Sequence, residues 1–270
     1  MIRLVAVDMD GTLLDEDSRI PPETYGLIDE LRDAGVRFVV SSGRRHDTLR
    51  AFWGDYADEI DYVASNGTQV VCDGRVLEDL TFDHDVVCRL KEFCDRISCA
   101  HLMLHGAEHR YVTELNWRPP FGPPPGEEGE YERNVSEVPD DEIFKIVIPV
   151  DRAEETTDII FSLTSELGDE LTFLPYSPDC IDVMPRGVSK ASGLRTIGRR
   201  LKIRAEDMAA YGDSMNDYEM LRYVGHPFAM ANACYVLRSF AERVLGTNAE
   251  HAVQAEMARI AAEAREARGR

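Results

Sequence analysis

The chain has few lysines, no paired cysteine motif and no long apolar run. Only four of its 30 basic residues are lysines, which are Lys91, Lys145, Lys190 and Lys202. The six cysteines include no C-x-x-C pair, and their spacing does not resemble a zinc site. No apolar run reaches membrane-spanning length, and no signal peptide precedes the first predicted strand. We therefore expect a cytoplasmic protein whose cysteines are reduced.

Positive charge as a whole is also scarce. The formal net charge is −20 over 270 residues. Such acidity argues against a nucleic-acid partner, which needs a basic face, and against binding to anionic membranes. The charge says little about oligomeric state, which the sequence leaves open. An apolar content of 44% supports a true core, and the length allows one large domain or two modest ones.

One stretch near the amino terminus organises the rest of the chain. An apolar run, Leu4 to Val7, is followed by Asp8 and Asp10, and Gly11 and Thr12 then turn the chain. A buried strand of this kind places its last side chains at the carboxyl edge of a parallel sheet, where ligands bind. The two carboxylates repel each other unless a divalent cation binds them. The alternative is a solvated acidic turn after an edge strand.

Strands and helices alternate in the first and last parts of the chain. Three further predicted strands end in polar or glycine-containing turns, at residues 41–44, 66–67 and 212–217. This pattern predicts an α/β core whose parallel sheet carries a site along one edge.

The middle of the chain follows a different pattern. Predicted strands there occur in adjacent pairs beside two helices, which indicates an α+β insert with its own antiparallel sheet. A proline- and glycine-rich acidic segment, residues 115–142, is either a mobile lid or a disordered excursion. We predict a discontinuous core, residues 1–82 and 188–270, that is interrupted by a cap domain, residues 83–187.

The predicted strand ends bring several chemically active residues to one edge of the sheet. They comprise acidic side chains, an amide, a hydroxyl and a lysine, namely Asp8, Asp10, Ser42, Lys190, Asp213, Asn216 and Asp217. Carboxylate and carbonyl oxygens suit Mg²⁺, whereas a hydroxyl, a lysine and turn amides suit phosphoryl oxygens. A carboxylate placed opposite the phosphorus can attack it and form an aspartyl phosphate.

The order of these motifs resembles the haloacid dehalogenase superfamily of phosphotransferases. The motifs are D-x-D-G-T, S-G-R, a lone lysine and G-D-x-x-N-D. The insert after residues 66–67 resembles the type IIB cap of the Cof-like branch. Residues 228–233 and 247–250 also resemble that branch, although Ala231 and His251 stand where glycine is usual. The resemblance implies a Rossmann-like core with a parallel sheet and is weak inside the cap.

The resemblance also implies catalytic and metal-binding roles. Asp8 would be the nucleophile, and Asp10 would be the general acid for the leaving group and then the base for water. Asp8, the main-chain carbonyl of Asp10 and Asp213 would bind Mg²⁺. Asp217 would orient water or Lys190 from behind, the alternative being an exposed acid at a helix start.

The remaining site residues are expected to bind phosphate or substrate. Ser42 would bind phosphate, with Ser41 as the less favoured hydroxyl. Lys190 would neutralise phosphoryl charge, the alternative being a surface lysine. Arg44 would either touch substrate or cap its turn. The residues expected to line the pocket or support it are Gly43, Asn66, Gly67, Asn216 and Thr12.

These expectations together predict a Mg²⁺-dependent phosphatase of small phosphorylated metabolites, with sugar phosphates the favoured class. A phosphomutase on the same scaffold and, more remotely, a phospho-accepting signalling module are the alternatives. Signalling receivers lack a cap of this size, and every motif position here is intact, which argues against an inactive homologue. Trp117, Arg118 and Arg186 are candidates for selecting the leaving group, because a closing cap would contact it.

Overall fold

The structure is a computed structural model that describes residues 1–112, 132–133 and 136–268. The described chain divides into two compact units. One unit contains residues 1–78 together with 189–270, and the other contains residues 79–188.

The secondary structure begins with a short buried strand, as the apolar run predicts. In chain order the strands are β1 (Leu4–Val7), β2 (Arg37–Ser41), β3 (Asp61–Ala64), β4 (Gln69–Cys72), β5 (Arg75–Asp79), β6 (Met103–Gly106), β7 (Arg110–Val112), β8 (Glu132–Arg133), β9 (Ile143–Pro149), β10 (Leu171–Ser177), β11 (Cys180–Pro185), β12 (Met208–Gly212), β13 (His226–Ala229) and β14 (Arg243–Val244). The helices are α1 (Glu23–Asp33), α2 (His46–Trp53), α3 (His84–Asp95), α4 (Thr156–Leu167), α5 (Lys190–Leu201), α6 (Tyr218–Tyr223), α7 (Tyr235–Phe240) and α8 (Ala252–Arg268).

A mostly parallel sheet forms the centre of the first unit. Among the described residues its strand order is β14-β13-β12-β1-β2-β3-β4-β5. The central strand β1 pairs in parallel with β12 and with β2, so that Val7 lies beside Tyr211 and Val40. All four residues of β1 are fully buried, because parallel sheets are covered on both faces. The carboxyl ends of β1, β2 and β12 therefore meet at one edge.

The second unit has its own sheet and its own core. Its described strands lie in the order β10-β11-β9-β6-β7-β8, and they are antiparallel except where β7 pairs with β8. Alternate residues of β9, such as Ile146 and Ile148, pack with Leu90 of α3 and Leu163 of α4. The predicted fold class, a parallel α/β core with an inserted α+β unit, is confirmed.

Several elements differ from the sequence prediction. Helix α2 was not predicted, although Leu49 and Trp53 lie one helical turn apart and are buried. The sequence predicts the last helix from about Glu250, whereas α8 begins at Ala252 and a separate single turn, Asn248–Glu250, precedes it. Most of the segment 115–142 lies outside the described residues, and Trp117 and Arg118 belong to that part.

Two further findings concern cysteines and membranes. The six cysteines are free thiols, and three of them, Cys72, Cys94 and Cys99, are buried. Among the residues described, none of the helices is both long enough and apolar enough to span a bilayer.

Candidate active site

The loop after β1 is shaped by a glycine and a close neighbour. Gly11 has φ +73°, and a Cβ atom there would lie 2.6 Å from Oδ2 of Asp213. Only glycine fits both the left-handed backbone and this approach. Thr12 donates a hydrogen bond from its hydroxyl to Oδ1 of Asp213 at 3.0 Å. The loop that carries Asp8 and Asp10 is thereby fixed against the turn after β12.

Three amide side chains from the last forty residues hold the carbonyl groups of this loop. Asn232 donates to the carbonyl of Gly11 at 2.8 Å, and Asn248 donates to the carbonyl of Leu14 at 2.8 Å. Gln254 donates to the carbonyl of Leu13 at 3.3 Å.

Sequence reasoning assigned no role to these three amides. Asn232 and Asn248 stand in the stretches that resemble the Cof-like branch, so a signal for them was present. Gln254 carried no such signal.

A fully buried lysine joins two carboxylates. The ammonium group of Lys190 donates to Oδ1 of Asp8 at 2.7 Å and to Oδ1 of Asp217 at 2.6 Å. Lys190 is the first residue of α5, where Ser189 and Ser192 form a capping box. Burial alone would lower the pKa of Lys190. The charges and hydrogen bonds of Asp217 and Asp8 raise this pKa by more, so the net shift is upward. Lys190 is therefore a charged interior group and not a surface lysine.

Asp217 uses both of its carboxylate oxygens inside the protein. Oδ1 accepts from Lys190, while Oδ2 accepts from the main-chain N–H groups of Asp213 and Ser214 at 3.0 and 3.1 Å. Asp217 is fully buried, which excludes the alternative of an exposed acid at a helix start. Its position fixes Lys190 and the turn after β12 at the same time.

Negative charge accumulates at this edge of the sheet. Asp8, Asp213 and Asp217 each present an oxygen, and the three oxygens lie within 4.8 Å of one another. Burial raises the pKa of Asp8 well above its usual value; Lys190 opposes this shift, and the neighbouring carboxylates reinforce it. Burial and Asp217 likewise raise the pKa of Asp213 to about 7.

The same group of side chains has the composition of a hard-cation site. Its donor atoms are all oxygens, and a divalent cation would favour the ionised carboxylates, which burial and the neighbouring acids disfavour. Asn216, in the same turn as Asp213 and Asp217, has a buried Oδ1 that accepts no hydrogen bond from the described residues. The residues present therefore fit a divalent metal ion. The Asp10 carboxylate does not belong to this group of three.

The turns after β2 and β3 are tied to each other. The N–H of Asn66 donates to the carbonyl of Ser42 at 3.0 Å, and the N–H of Ser65 donates to the carbonyl of Arg44 at 2.8 Å. Ser65, Asn66 and Gly67 all have positive φ angles. A Cβ atom at Gly67 would lie 2.2 Å from the carbonyl oxygen of Ser189, so glycine is needed there.

These turns bring the predicted phosphate-binding residues together. Ser42 and Gly43 are buried in the turn after β2. Asn216 donates from its amide to Oδ1 of Asn66 at 3.3 Å, which joins the turn after β12 to the turn after β3. Ser41 is fully buried, and its hydroxyl has no hydrogen-bond partner within the described part of the chain.

Two predicted substrate-binding arginines have partners within their own units. Arg44 was expected to touch substrate or to cap its turn, but its guanidinium donates two hydrogen bonds to Asp10. Nε donates to Oδ2 at 2.8 Å and Nη2 donates to Oδ1 at 2.7 Å. Arg186 donates to the carbonyl of Gly168 inside the second unit.

The parallel sheet thus gathers acidic side chains around a buried lysine at its carboxyl edge. Residues 5–257 match the model of the haloacid dehalogenase-like hydrolases, and the chain belongs to this family. The resemblance found in the sequence and the prediction of a hydrolase are thus confirmed.

Curated relatives share the family over nearly their whole length. The chain is 29% identical to 5-amino-6-(5-phospho-D-ribitylamino)uracil phosphatase YbjI of Escherichia coli (strain K12) over 259 residues, which cover 92% of each chain. It is 28% identical to an HMP-PP phosphatase of Yersinia enterocolitica over 240 residues, which cover 86% of this chain and 85% of that protein.

Solved structures share the fold. SMU.1108c of Streptococcus mutans UA159 matches with a TM-score of 0.90 at 22% identity, covering 97% of this chain and 100% of that chain. The HAD subclass IIB sugar phosphatase BT4131 matches with a TM-score of 0.79 at 20% identity, covering 96% of this chain and 98% of that chain.

Proposed function

We propose that this protein is a Mg²⁺-dependent phosphatase that hydrolyses phosphate monoesters of small metabolites, with sugar phosphates the favoured class. The observation that carries the proposal is the buried Lys190, which bridges Asp8 and Asp217 beside an all-oxygen acidic group. In such an arrangement a carboxylate can attack phosphorus while a cation neutralises the transferred group.

Asp8 is proposed as the nucleophile. Lys190 holds its Oδ1, so Oδ2 is the oxygen assigned to the attack. The new bond joins Asp8 to phosphorus, the bond from phosphorus to the leaving-group oxygen breaks, and Asp10 gives that oxygen a proton. Water then attacks the phosphorus and gives a proton to Asp10, and the bond to Asp8 breaks to release inorganic phosphate.

The phosphoryl oxygens need positive charge and hydrogen-bond donors. Lys190 supplies charge, while the Ser42 hydroxyl and the turn amides near Gly43 and Asn66 supply donors. Mg²⁺ would add positive charge and would be held by Asp8, Asp213 and the main-chain carbonyl of Asp10. Thr12 and Asp217 would hold these groups in place.

The relatives support small phosphorylated metabolites as the substrate class. By their names, one acts on a phosphoribityl compound, a second on HMP-PP, and a structural neighbour on sugar phosphates. The two curated relatives have different substrates, although they are 29% and 28% identical to this chain. The relatives therefore do not identify a single substrate here. We assign the catalytic core to residues 1–82 and 188–270, and we assign selection of the leaving group to residues 83–187.

Phosphate release from a panel of phosphorylated metabolites, measured with Mg²⁺ and with EDTA, tests the proposal. We expect release from at least one sugar phosphate or phosphorylated polyol, loss of release with EDTA, and no release by Asp8→Asn. Release that persists in Asp8→Asn would contradict the mechanism. Isomerisation of a hexose phosphate without phosphate release would favour a phosphomutase.

A further inference from the structure

We infer that Arg44 is a positioning residue that fixes the carboxylate of Asp10 for proton transfer, and does not bind the phosphoryl group. The inference rests on the proposed function, because it concerns the residue assigned as acid and base. It starts from the two hydrogen bonds by which Arg44 engages both oxygens of Asp10.

A paired contact of this kind fixes orientation as well as position. The guanidinium is planar, and two parallel N–H bonds hold both carboxylate oxygens in one plane. The Asp10 side chain is 37% exposed, so much of its surface is open to solvent, where a reacting group would approach. Arg44 thus limits rotation of a side chain that must direct a proton toward one oxygen of the leaving group.

Arg44 is itself held from three sides. Its main-chain N–H donates to Oγ of Ser42 at 3.2 Å, and its carbonyl accepts from the N–H of Ser65 at 2.8 Å. Its guanidinium carbon lies 4.9 Å from the ring centre of Phe52 in α2, a distance typical of cation–π contact. The Arg44 side chain is only 11% exposed. Phe52 therefore packs against the guanidinium of Arg44, which in turn holds the carboxylate of Asp10.

The geometry separates this role from phosphate binding. The Nε and Nη2 fork of Arg44, which would match two phosphoryl oxygens, is occupied by Asp10. Lys190, buried against Asp8, already supplies a cation beside the proposed nucleophile. Loss of Arg44 is therefore expected to impair proton transfer to the leaving group more than it impairs substrate binding.

Dependence of the rate on the leaving group tests this role. A basic alkoxide needs a proton as it departs, whereas p-nitrophenolate hardly does. We would measure kcat/KM and KM for an alkyl phosphate that the enzyme hydrolyses and for p-nitrophenyl phosphate. For Arg44→Met we expect kcat/KM to fall about 10- to 100-fold on the alkyl phosphate and less than about 5-fold on p-nitrophenyl phosphate, with little change in KM.

Matched variants sharpen the result. Arg44→Lys keeps the charge but loses the paired fork, so we expect an intermediate loss with the same dependence on the leaving group. Phe52→Leu removes the ring contact while keeping an apolar side chain against the core, and it should cause a smaller loss of the same kind. Arg50→Met serves as the control, because Arg50 pairs with exposed Asp58 and should leave both substrates unaffected. Adding Arg44→Met to Asp10→Asn should cause little further loss.

The kinetic results distinguish failure of the inference about Arg44 from failure of the proposed function. Equal losses on both substrates with a raised KM would assign Arg44 to phosphate binding and overturn the inference. Unchanged kcat/KM in Arg44→Met and Phe52→Leu would make the ion pair structural only and would also overturn it. If the wild-type enzyme released phosphate from neither substrate, nor from the metabolite panel, the proposed function itself would fail.

Discussion

Two acidic groups lie at opposite edges of the same sheet, and they differ in how their charges are satisfied. The first group lies at the carboxyl edge and consists of Asp8, Asp213 and Asp217. The second lies where β3 begins and β4 ends, and it consists of Asp61, Cys72 and Asp73. In each group the possible ligand atoms lie within 4.8 Å of one another. Each group also contains one basic partner, Lys190 in the first and Arg37 in the second.

The second group is internally satisfied. Oδ2 of Asp61 accepts from Nε and Nη2 of Arg37 at 3.0 and 2.6 Å, and Oδ1 accepts from the N–H of Asp73 at 2.9 Å. Arg37 also donates to Oδ1 of Asp73 at 2.8 Å. Burial raises the pKa of Cys72 to about 12, with a further contribution from Asp61, so its sulfur is a thiol at neutral pH. The carboxylates of this group therefore have basic and main-chain partners within the protein.

The first group has three carboxylates but one lysine, so its charge is not balanced, although each carboxylate accepts at least one hydrogen bond. The pKa values of Asp8 and Asp213 are raised by burial and by neighbouring carboxylates, and the single lysine does not offset this. The comparison teaches that a group of acids has a functional character when its charges lack internal compensation. A structural group compensates its own charges.

The largest expected contrast between the two groups is in activity. Asp8→Asn should lower kcat by at least about 10⁴-fold, because an amide cannot replace the carboxylate proposed as the nucleophile. Asp61→Asn should keep kcat within about 3-fold of wild type at a temperature where it is folded, because Asp61 lies at the other edge of the sheet. Initial rates on one metabolite substrate measure both. A loss in Asp61→Asn comparable to that in Asp8→Asn would remove the distinction.

Stability should show the opposite contrast. Asp61→Asn should lower the free energy of unfolding by about 2–3 kcal/mol, because it breaks a buried pair whose arginine is partly solvated. Asp8→Asn should change it by less than about 1 kcal/mol, or raise it, because folding already disfavours the ionised form of Asp8. Urea unfolding monitored by circular dichroism, at pH 7 without divalent cations, gives both values. Equal destabilisation by the two substitutions would contradict the comparison.

The two groups should also differ in how much Mg²⁺ stabilises the fold, and this difference is smaller than the preceding ones. If 10 mM Mg²⁺ exceeds its dissociation constant about 10-fold, it should stabilise wild type by about 1.4 kcal/mol. Asp61→Asn should show the same gain, and Asp213→Asn should show little or none, because only the second removes a proposed ligand. Thermal unfolding with and without Mg²⁺ measures the gain without reference to catalysis. A full Mg²⁺ response in Asp213→Asn would place the metal elsewhere.

The smallest expected effect belongs to an exposed pair, which provides a baseline for the two buried groups. A hydrogen bond with its own main-chain N–H lowers the pKa of Glu23, and contact with His251 at 2.6 Å lowers it further. A lowered carboxyl pKa stabilises the fold above the unfolded-state value and is lost as the pH falls through the folded-state value. Glu23→Gln should therefore cost about 0.5 kcal/mol at pH 6, and its stability should move toward that of wild type at pH 4, because the contribution is lost as the pH falls. Urea unfolding at both pH values tests the convergence.

The elements that could be predicted are those whose information is local. The apolar run before Asp8 and Asp10 predicts β1 and its position in the sheet, and Asp73-Gly74 predicts the turn between β4 and β5, where both residues have positive φ angles. His251 stands where the Cof-like branch commonly has glycine, and its φ of +53° gives the reason.

The features that could not be predicted depend on contacts between distant residues. Arg44 and Asp10 are 34 residues apart in the sequence. The conformation of the loop after β2 in the folded protein brings the arginine side chain to Asp10. Helix α2 has eight residues, which is too short for its periodicity to be distinguished from a loop. The hydrogen bond from Gln254 to a carbonyl group 241 residues earlier cannot be predicted from the residues around Gln254.

The amide contacts to the loop after β1 have a consequence for biosynthesis. The carbonyls of Gly11, Leu14 and Leu13 acquire their side-chain donors only after the ribosome has added Asn232, Asn248 and Gln254 respectively. The central strand β1 must likewise wait about two hundred residues for its neighbour β12. Such long sequence separations slow folding, because loop closure precedes the contacts that stabilise it. The loop after β1 is therefore made well before its amide donors, and it acquires the last of them only after Gln254 has been added.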